Sequence, residues 1–230
     1  MPSLWADLLG LLYPRLCAGC SNNLPRTENP LCLQCHSDLP RTGFAPFPDN
    51  PVEKIFSGRI RLEAAHSEYY FSKNPLIRNL IHRLKYKGSQ ETGLFLGRLL
   101  GESLTASGRF EDIDMIIPLP LYPDKQYRRG YNQAEVIARG IRESFPVELI
   151  TEAVTRTRNT ATQTRKHRMD RWLNVNGGFM VKNPESFAGL HILLVDDVIT
   201  TGASLEACAN ALLAVPGVRL SIASLAMASK

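Results

Sequence analysis

Apolar and polar positions alternate along the chain in two periods, and together they sketch a layered protein. Leu76, Ile77, Leu80, Ile81 and Leu84 recur at helical spacing, and the polar run Lys85, Tyr86, Lys87, Gly88 closes that helix. A second helix is predicted over 91–106, a third near 132–144 and a fourth over 203–214. Between them lie short apolar runs with strand character at 61–71, 114–118, 147–150, 177–181, 191–195 and 218–226. Of these, HILLV at 191–195 is the plainest. Strands that read as continuous apolar runs and alternate with helices imply a parallel sheet covered on both faces. The expected fold is therefore a doubly wound, mostly parallel α/β domain.

The N-terminal part departs from this rhythm. Residues 3–12 suggest a short amphipathic helix ending before Pro14, and 14–40 are rich in turn residues. The stretch GFAPFPDNP, 43–51, holds three prolines and reads as an extended connector. The expected organisation is an N-terminal helix and cysteine module over 1–42, a linker over 43–60 and the α/β domain over 61–230. The apolar N-terminus lacks a basic leader and carries Asp7, so no signal peptide is expected, and no run reaches the ~20 apolar residues of a membrane span. A cytoplasmic protein is the expectation.

Cysteines make the module specific. Cys17-Ala-Gly-Cys20 and Cys32-Leu-Gln-Cys35 form two CxxC pairs eleven residues apart. Each pair can make a tight knuckle, and four thiolates complete a tetrahedral site, zinc being favoured over an iron–sulfur cluster. With no vacant coordination position the metal would be structural, supplying folding energy that so small a segment cannot bury for itself. His36 adjoins the cluster as a bystander, and Cys208, on the helix after residue 203, reads as a small buried residue. Such modules bind nucleic acid or protein, or merely brace a neighbouring domain, and the spacing does not choose between these roles.

The 230 residues are 44% apolar and 21% charged with a net charge of +5, an ordinary balance with a mild basic excess. That excess suits phosphate-rich small molecules and nucleic acid alike. Its distribution is more telling, because cations concentrate at Lys125–Arg129 and Arg156–Arg171. The second run (Arg156, Arg158, Arg165, Lys166, His167, Arg168, Arg171) has no apolar face and reads as a loop. It can serve as a lid over a phosphate site, a contact for a nucleic-acid backbone, or a solvated loop. Trp172 reads as an anchor pinning that loop.

The chemistry concentrates in HILLVDDVITTGAS, 191–204. A buried strand runs into Asp196 and Asp197, then into a hydroxyl-rich turn, Thr200, Thr201, Gly202, Ala203, Ser204, and a helix. Ligands of open α/β sheets collect at such strand ends. Backbone N–H groups, hydroxyls and the helix dipole favour a phosphate there, and Gly202 permits close approach. Carboxylates repel phosphate, so the aspartates should face sugar hydroxyls or a divalent cation. The bland alternative is a strand–turn–helix with a solvated acid pair. The Gly-Lys-Ser/Thr ending of a Walker loop is absent.

LLVDDVITTGAS resembles the diphosphoribosyl-binding signature of the type I phosphoribosyltransferases. The paired CxxC module, LIHRLKYKG at 80–88, IIPLPLYPDKQYRRGYNQAE at 116–135 and TATQTRKHRMDRWLNV at 160–175 resemble the ComF (GntX-like) family, which is associated with DNA uptake in competent bacteria. The resemblance spans nearly the whole chain. It implies that Asp196 and Asp197 hold the ribose of phosphoribosyl diphosphate, with Mg²⁺, and that 200–204 hold its 5′-phosphate. It also implies that the loop 119–130 approaches the diphosphate through Arg128 and Arg129, with Arg165 in the lid. Purine-salvage members of that fold usually place an acid where Thr200 stands, so purine salvage is not expected; the loop is more like that of orotate-using enzymes. Two functions remain open: a phosphoribosyl transfer enzyme, or a non-catalytic ligand-sensing factor that binds single-stranded DNA or DNA-uptake proteins. No accepting-base pocket and no general base are legible.

Overall fold

The computed structural model describes residues 14–25, 29–71, 75–86, 88–156 and 178–228. The helix expected over 3–12, Arg165 and Trp172 lie outside the described residues, as does most of the basic run. The element order is α1 (Leu33–Ser37), α2 (Pro51–Phe56), β1 (Ala64–Tyr70), α3 (Pro75–Tyr86), α4 (Gln90–Ala106), β2 (Met115–Pro118), α5 (Pro123–Arg129), α6 (Gln133–Ser144), β3 (Glu148–Leu149), β4 (Val154–Arg156), β5 (Phe179–Val181), a 3₁₀ turn (Pro184–Phe187), β6 (His191–Ile199), α7 (Ala203–Leu213) and β7 (Arg219–Met227).

Five strands form one sheet in the order β1-β7-β6-β2-β3, every neighbouring pair parallel. The doubly wound α/β expectation is met. β6 is central and longer than its apolar run, because its pairing with β7 continues from His191 to Ile199. β4 and β5 form a separate antiparallel hairpin that the polar sequence around 155 did not announce. Val154, Phe179 and Val181 bury its inner face.

Two apolar cores cover the sheet. One joins α3, α4 and α6 through residues such as Leu80, Leu84, Leu96, Leu100, Ile137 and Ile141. The other joins α2, α7 and the hairpin through Val52, Phe56, Leu205, Leu212, Phe179 and Val181. Within the first, α4 and α6 meet backbone to backbone at glycines. A Cβ on Gly140 would stand 2.2 Å from the Leu94 carbonyl oxygen, and one on Gly97 would stand 2.3 Å from that of Ile137. Neither neighbour is a side chain that can swing away, so Gly140→Ala should force the helices apart. The expected loss is about 2–3 kcal/mol, read as a fall of roughly 5–10 °C in melting temperature. A melting temperature unchanged within a degree would show that the helices are not in this contact.

Residues 43–60, read from sequence as a linker, are not extended throughout. Asn50 caps α2, its Oδ1 accepting the N–H groups of Val52 and Glu53 at 2.9 and 3.2 Å. Pro51 at the first helical position suits that start. Val52 and Phe56 are buried against the sheet. The cap-and-proline pair is the signal that a reading of prolines as connector residues passes over.

The cysteine module sits on the α3/α4 side. Cys17, Leu31, Cys35 and Leu39 join the same core as Ile77 and Phe95, and the His36 ring meets Phe95 edge-on at 5.9 Å. Arg83 of α3 donates to the Ser21 hydroxyl at 3.2 Å, and Arg15 pairs with Glu91 of α4. Bracing of the neighbouring domain is thus a role the module performs.

Candidate functional site

β6 carries the candidate site at only one of its ends. His191 lies at the other, fixed by Asp112 at 2.9 Å from Nδ1 and by the Ser221 hydroxyl at 2.9 Å from Nε2. At roughly 3.3 Å per residue the strand carries Ile199 more than ~20 Å beyond it. The centre of the expected pocket therefore narrows to 196–204.

The pleat divides the two aspartates. Leu193 and Val195 face the α3/α4 core, whereas Ile192 and Leu194 face the α7 core. Asp197 follows the first set and reaches Lys85 at the end of α3, with 2.9 Å between Oδ2 and Nζ. Asp196 follows the second; its Oδ1 accepts the Asp197 N–H at 2.8 Å. Burial, and next the neighbouring Asp197 charge, push the Asp196 carboxyl up to about 8, against the opposing pull of that N–H, Lys85 and Arg156. Ionising Asp196 beside Asp197 in this environment costs stability.

Beyond Ile199 the chain makes the expected turn. Gly202 adopts φ 75°, and a Cβ there would meet the Phe56 ring at 2.8 Å, so α2 packs directly beneath the loop. Arg59, just after α2, donates to the carbonyls of Ile55 at 3.0 Å and Thr201 at 2.9 Å, and pairs with Glu206. These contacts hold the loop from the connector side. Thr200 and Thr201 are exposed, Ser204 is half-buried, and α7 begins at Ala203, whose N–H donates to the Thr201 hydroxyl at 3.4 Å. A cavity of ≈100 Å³ is lined by Asp196 and by residues 198–205. All seven expected contact residues, Asp196, Asp197, Thr200, Thr201, Gly202, Ala203 and Ser204, stand within this one strand–loop–helix turn.

The segment 119–130 is partly helical. Tyr122 precedes α5, and Gly130 ends it at φ 79°. Arg128 is exposed on α5. Arg129 instead donates to the Gln133 Oε1 at 2.6 Å and lies over the Tyr86 ring at 5.6 Å. Between Pro120, Leu121, Asn132, Glu135, Thr155 and Arg156 a larger cavity of ≈390 Å³ opens, which no sequence pattern indicated.

Two residues escaped the sequence reading. Lys85 was taken as a helix-closing cation, and Arg156 as part of the basic loop; the first pairs with Asp197 and the second is the last residue of β4. Their only sequence signal was an unexplained cation next to an apolar run.

The four cysteine sulfurs converge to within 4.8 Å of one another and could hold a metal ion; among the described residues they are the one such group. Cys17 Sγ accepts the N–H groups of Gly19 at 3.4 Å and Cys32 at 3.3 Å, and Cys32 Sγ accepts that of Cys35 at 3.4 Å. Burial raises the Cys17 thiol, yet the N–H groups of Cys20, Cys32 and Gly19 outweigh it and bring it to about 6. Burial and the adjoining sulfurs raise Cys35. A donor set of four thiolates suits zinc. Cys208 is fully buried in the α7 core, as expected.

Fold and cysteine cluster together define a class: a mostly parallel α/β domain with an N-terminal four-cysteine module. The chain's relatives bear out the ComF resemblance. It is 34% identical over 142 residues to DNA utilization protein YhgH of Escherichia coli (strain K12), covering 60% of this chain and 62% of that protein. It is 33% identical over 131 residues to competence protein F of Haemophilus influenzae, covering 55% and 57%. It is 28% identical over 164 residues to competence protein ComFC of Bacillus subtilis, covering 70% and 64%. The matches span less than two thirds of each relative's length. A solved chain of the allosteric regulatory enzyme of purine biosynthesis aligns at TM-score 0.38 and 16% identity, over 56% of this chain and 25% of that one. No family model matches the chain. Among the described residues no helix is long and apolar enough to cross a membrane.

Proposed function

We propose that this protein binds phosphoribosyl diphosphate with Mg²⁺ at the 196–204 turn and acts in the cellular handling of DNA. The observation that carries the reading is the end of β6, where two adjacent, poorly solvated carboxylates lead into a glycine-bent hydroxyl loop and a helix N-terminus. Asp196 and Asp197 would take the ribose hydroxyls and the cation's water shell, and 200–204 the 5′-phosphate. Arg128, Arg129 and Arg165 are the proposed diphosphate contacts, with charge-assisted bonds to its oxygens. Zinc in the Cys17, Cys20, Cys32, Cys35 cluster would be structural. The proposed organisation keeps the module at 1–42, the connector at 43–60 and the ligand-binding domain at 61–230, in a cytoplasmic protein.

Transfer of the ribosyl group is one outcome of such binding, and the ≈390 Å³ cavity beside the site is roomy enough for an accepting base. A second reading is a non-catalytic sensor that couples ligand binding to single-stranded DNA; it is favoured by the relatives being named for DNA utilization and competence rather than for a reaction. Titrating phosphoribosyl diphosphate with Mg²⁺ into wild type and into Asp196→Asn/Asp197→Asn tests the shared first step. Wild type should bind at least ~100-fold more tightly, the worth of two charge-assisted contacts; equal affinities would overturn the assignment. Diphosphate release with candidate bases, with and without single-stranded DNA, then separates enzyme from sensor.

A further inference from the structure

Among the described residues Arg156 is the one arginine that lies over two aromatic rings. Its guanidinium carbon lies 3.9 Å from the Tyr122 ring centroid and 4.8 Å from that of Phe179. It is thus sandwiched between the diphosphate-side segment and the β4/β5 hairpin. One terminal nitrogen donates to the Ser204 hydroxyl at 3.3 Å. Its Nε is buried with no hydrogen-bond partner. Among the described residues no carboxylate is paired with it, whereas Arg15, Arg41, Arg59, Arg109, Arg139 and Arg219 each are. An arginine held against two rings is fixed in place at little further entropic cost, and its remaining donors stay unspent.

Three roles compete for such a residue. As a mere packing pin it would need no positive charge, and leaving its Nε buried without a partner for packing alone is unfavourable against an apolar side chain. As a diphosphate contact it would be expected to face the exposed cations of α5, but its hydrogen bond runs the other way, to the phosphate turn. As a partner of the 5′-phosphate it fits these observations: it touches the turn's own hydroxyl, it is held in place by two rings, and, with Asp196 near but not paired to it, its donors are free for a dianion.

We propose that Arg156 is the cation of the 5′-phosphate seat, a binding residue whose guanidinium passes from the Ser204 hydroxyl to the phosphate oxygens when a sugar 5-phosphate enters. Its ring sandwich ties that seat to Tyr122 and Phe179, so the two segments flanking the site are held in register with the ligand. This rests on the proposed phosphoribosyl diphosphate reading and adds to it the residue that would make the site select for a 5-phosphate over a free sugar.

The test uses the full-length zinc-loaded protein and three probes: ribose 5-phosphate, phosphoribosyl diphosphate with Mg²⁺, and inorganic diphosphate with Mg²⁺. Arg156→Met, which keeps an unbranched apolar stem between the rings, should weaken both sugar phosphates by the same factor, about 10–100-fold for one or two charge-assisted bonds. Arg156→Lys should recover part of that loss, since it restores the charge without the fork. Magnesium diphosphate binding should not change. Thermal melts of each variant identify any misfolded one, and the Arg156→Lys measurement then decides alone. Unchanged affinity for ribose 5-phosphate, or a loss confined to the ligands carrying diphosphate, would overturn the assignment. Should wild type itself bind neither sugar phosphate, it is the parent reading that fails.

Discussion

Asp196→Asn should make the protein more stable at pH 8 while removing most of its affinity for phosphoribosyl diphosphate. The carboxyl sits near 3.8 in the unfolded chain and is raised to about 8 in the fold, first by burial and then by Asp197. Between those values the folded protein holds a proton that the unfolded chain has lost. Stability from this group is therefore present in full below about pH 4 and declines as pH climbs toward 8. Asparagine mimics the protonated acid and keeps the acceptor for the Asp197 N–H. The variant should match wild type near pH 4 and exceed it by about 2 kcal/mol at pH 8, a gap well inside what a shift of several units at 1.36 kcal/mol each allows. Lys85 would then pair with Asp197 alone, without a second negative charge beside it. Urea denaturation across pH 4–8, run beside a ligand titration, measures both effects. A wild-type stability that is flat over that range would remove the idea that the site stores repulsion.

Loss of the four-cysteine cluster should be the most damaging single change. Cys32→Ser removes one of four sulfurs lying within 4.8 Å of one another and the acceptor of the Cys35 N–H. Zinc binding is folding energy in modules of this kind, worth about 10–16 kcal/mol in isolated peptides. The damage should spread past the module, because Cys17, Leu31, Cys35 and Leu39 share a core with α3 and α4. The expected result is that zinc found with wild type by elemental analysis is absent from the variant, with a melting temperature roughly 6–12 °C lower, equivalent to ~3 kcal/mol in a domain of this size. Cys208→Ser, buried but outside the cluster, should keep its zinc. Retention of zinc by Cys32→Ser with an unchanged melt would rule out a structural four-cysteine site.

The parallel sheet and its main helices were legible because each rests on a local period: HILLV for β6, the Leu76–Leu84 repeat for α3, the runs at 91–106 and 203–214 for α4 and α7. The candidate phosphate turn was legible for the same reason, its residues being consecutive in sequence. The cysteine cluster was equally so, since two knuckles need only a fixed spacing. The α2 helix was missed because its signal is a cap of two residues, Asn50 and Pro51, in a stretch otherwise rich in breakers. β5 falls within the strand expected at 177–181, but its partner β4 was missed because three residues beside a polar run leave no period to read.

What sequence alone determined, then, is which groups are offered: four thiolates, two adjacent carboxylates, a hydroxyl turn and clustered cations. Only the tertiary structure decided who faces whom. It split Asp196 from Asp197 across the pleat, paired Lys85 with Asp197, and set Arg156 on Ser204 from 48 residues away. Periodicity is a property of neighbours along the chain, whereas charge pairing and desolvation depend on distances that exist only once the sheet has brought remote segments together.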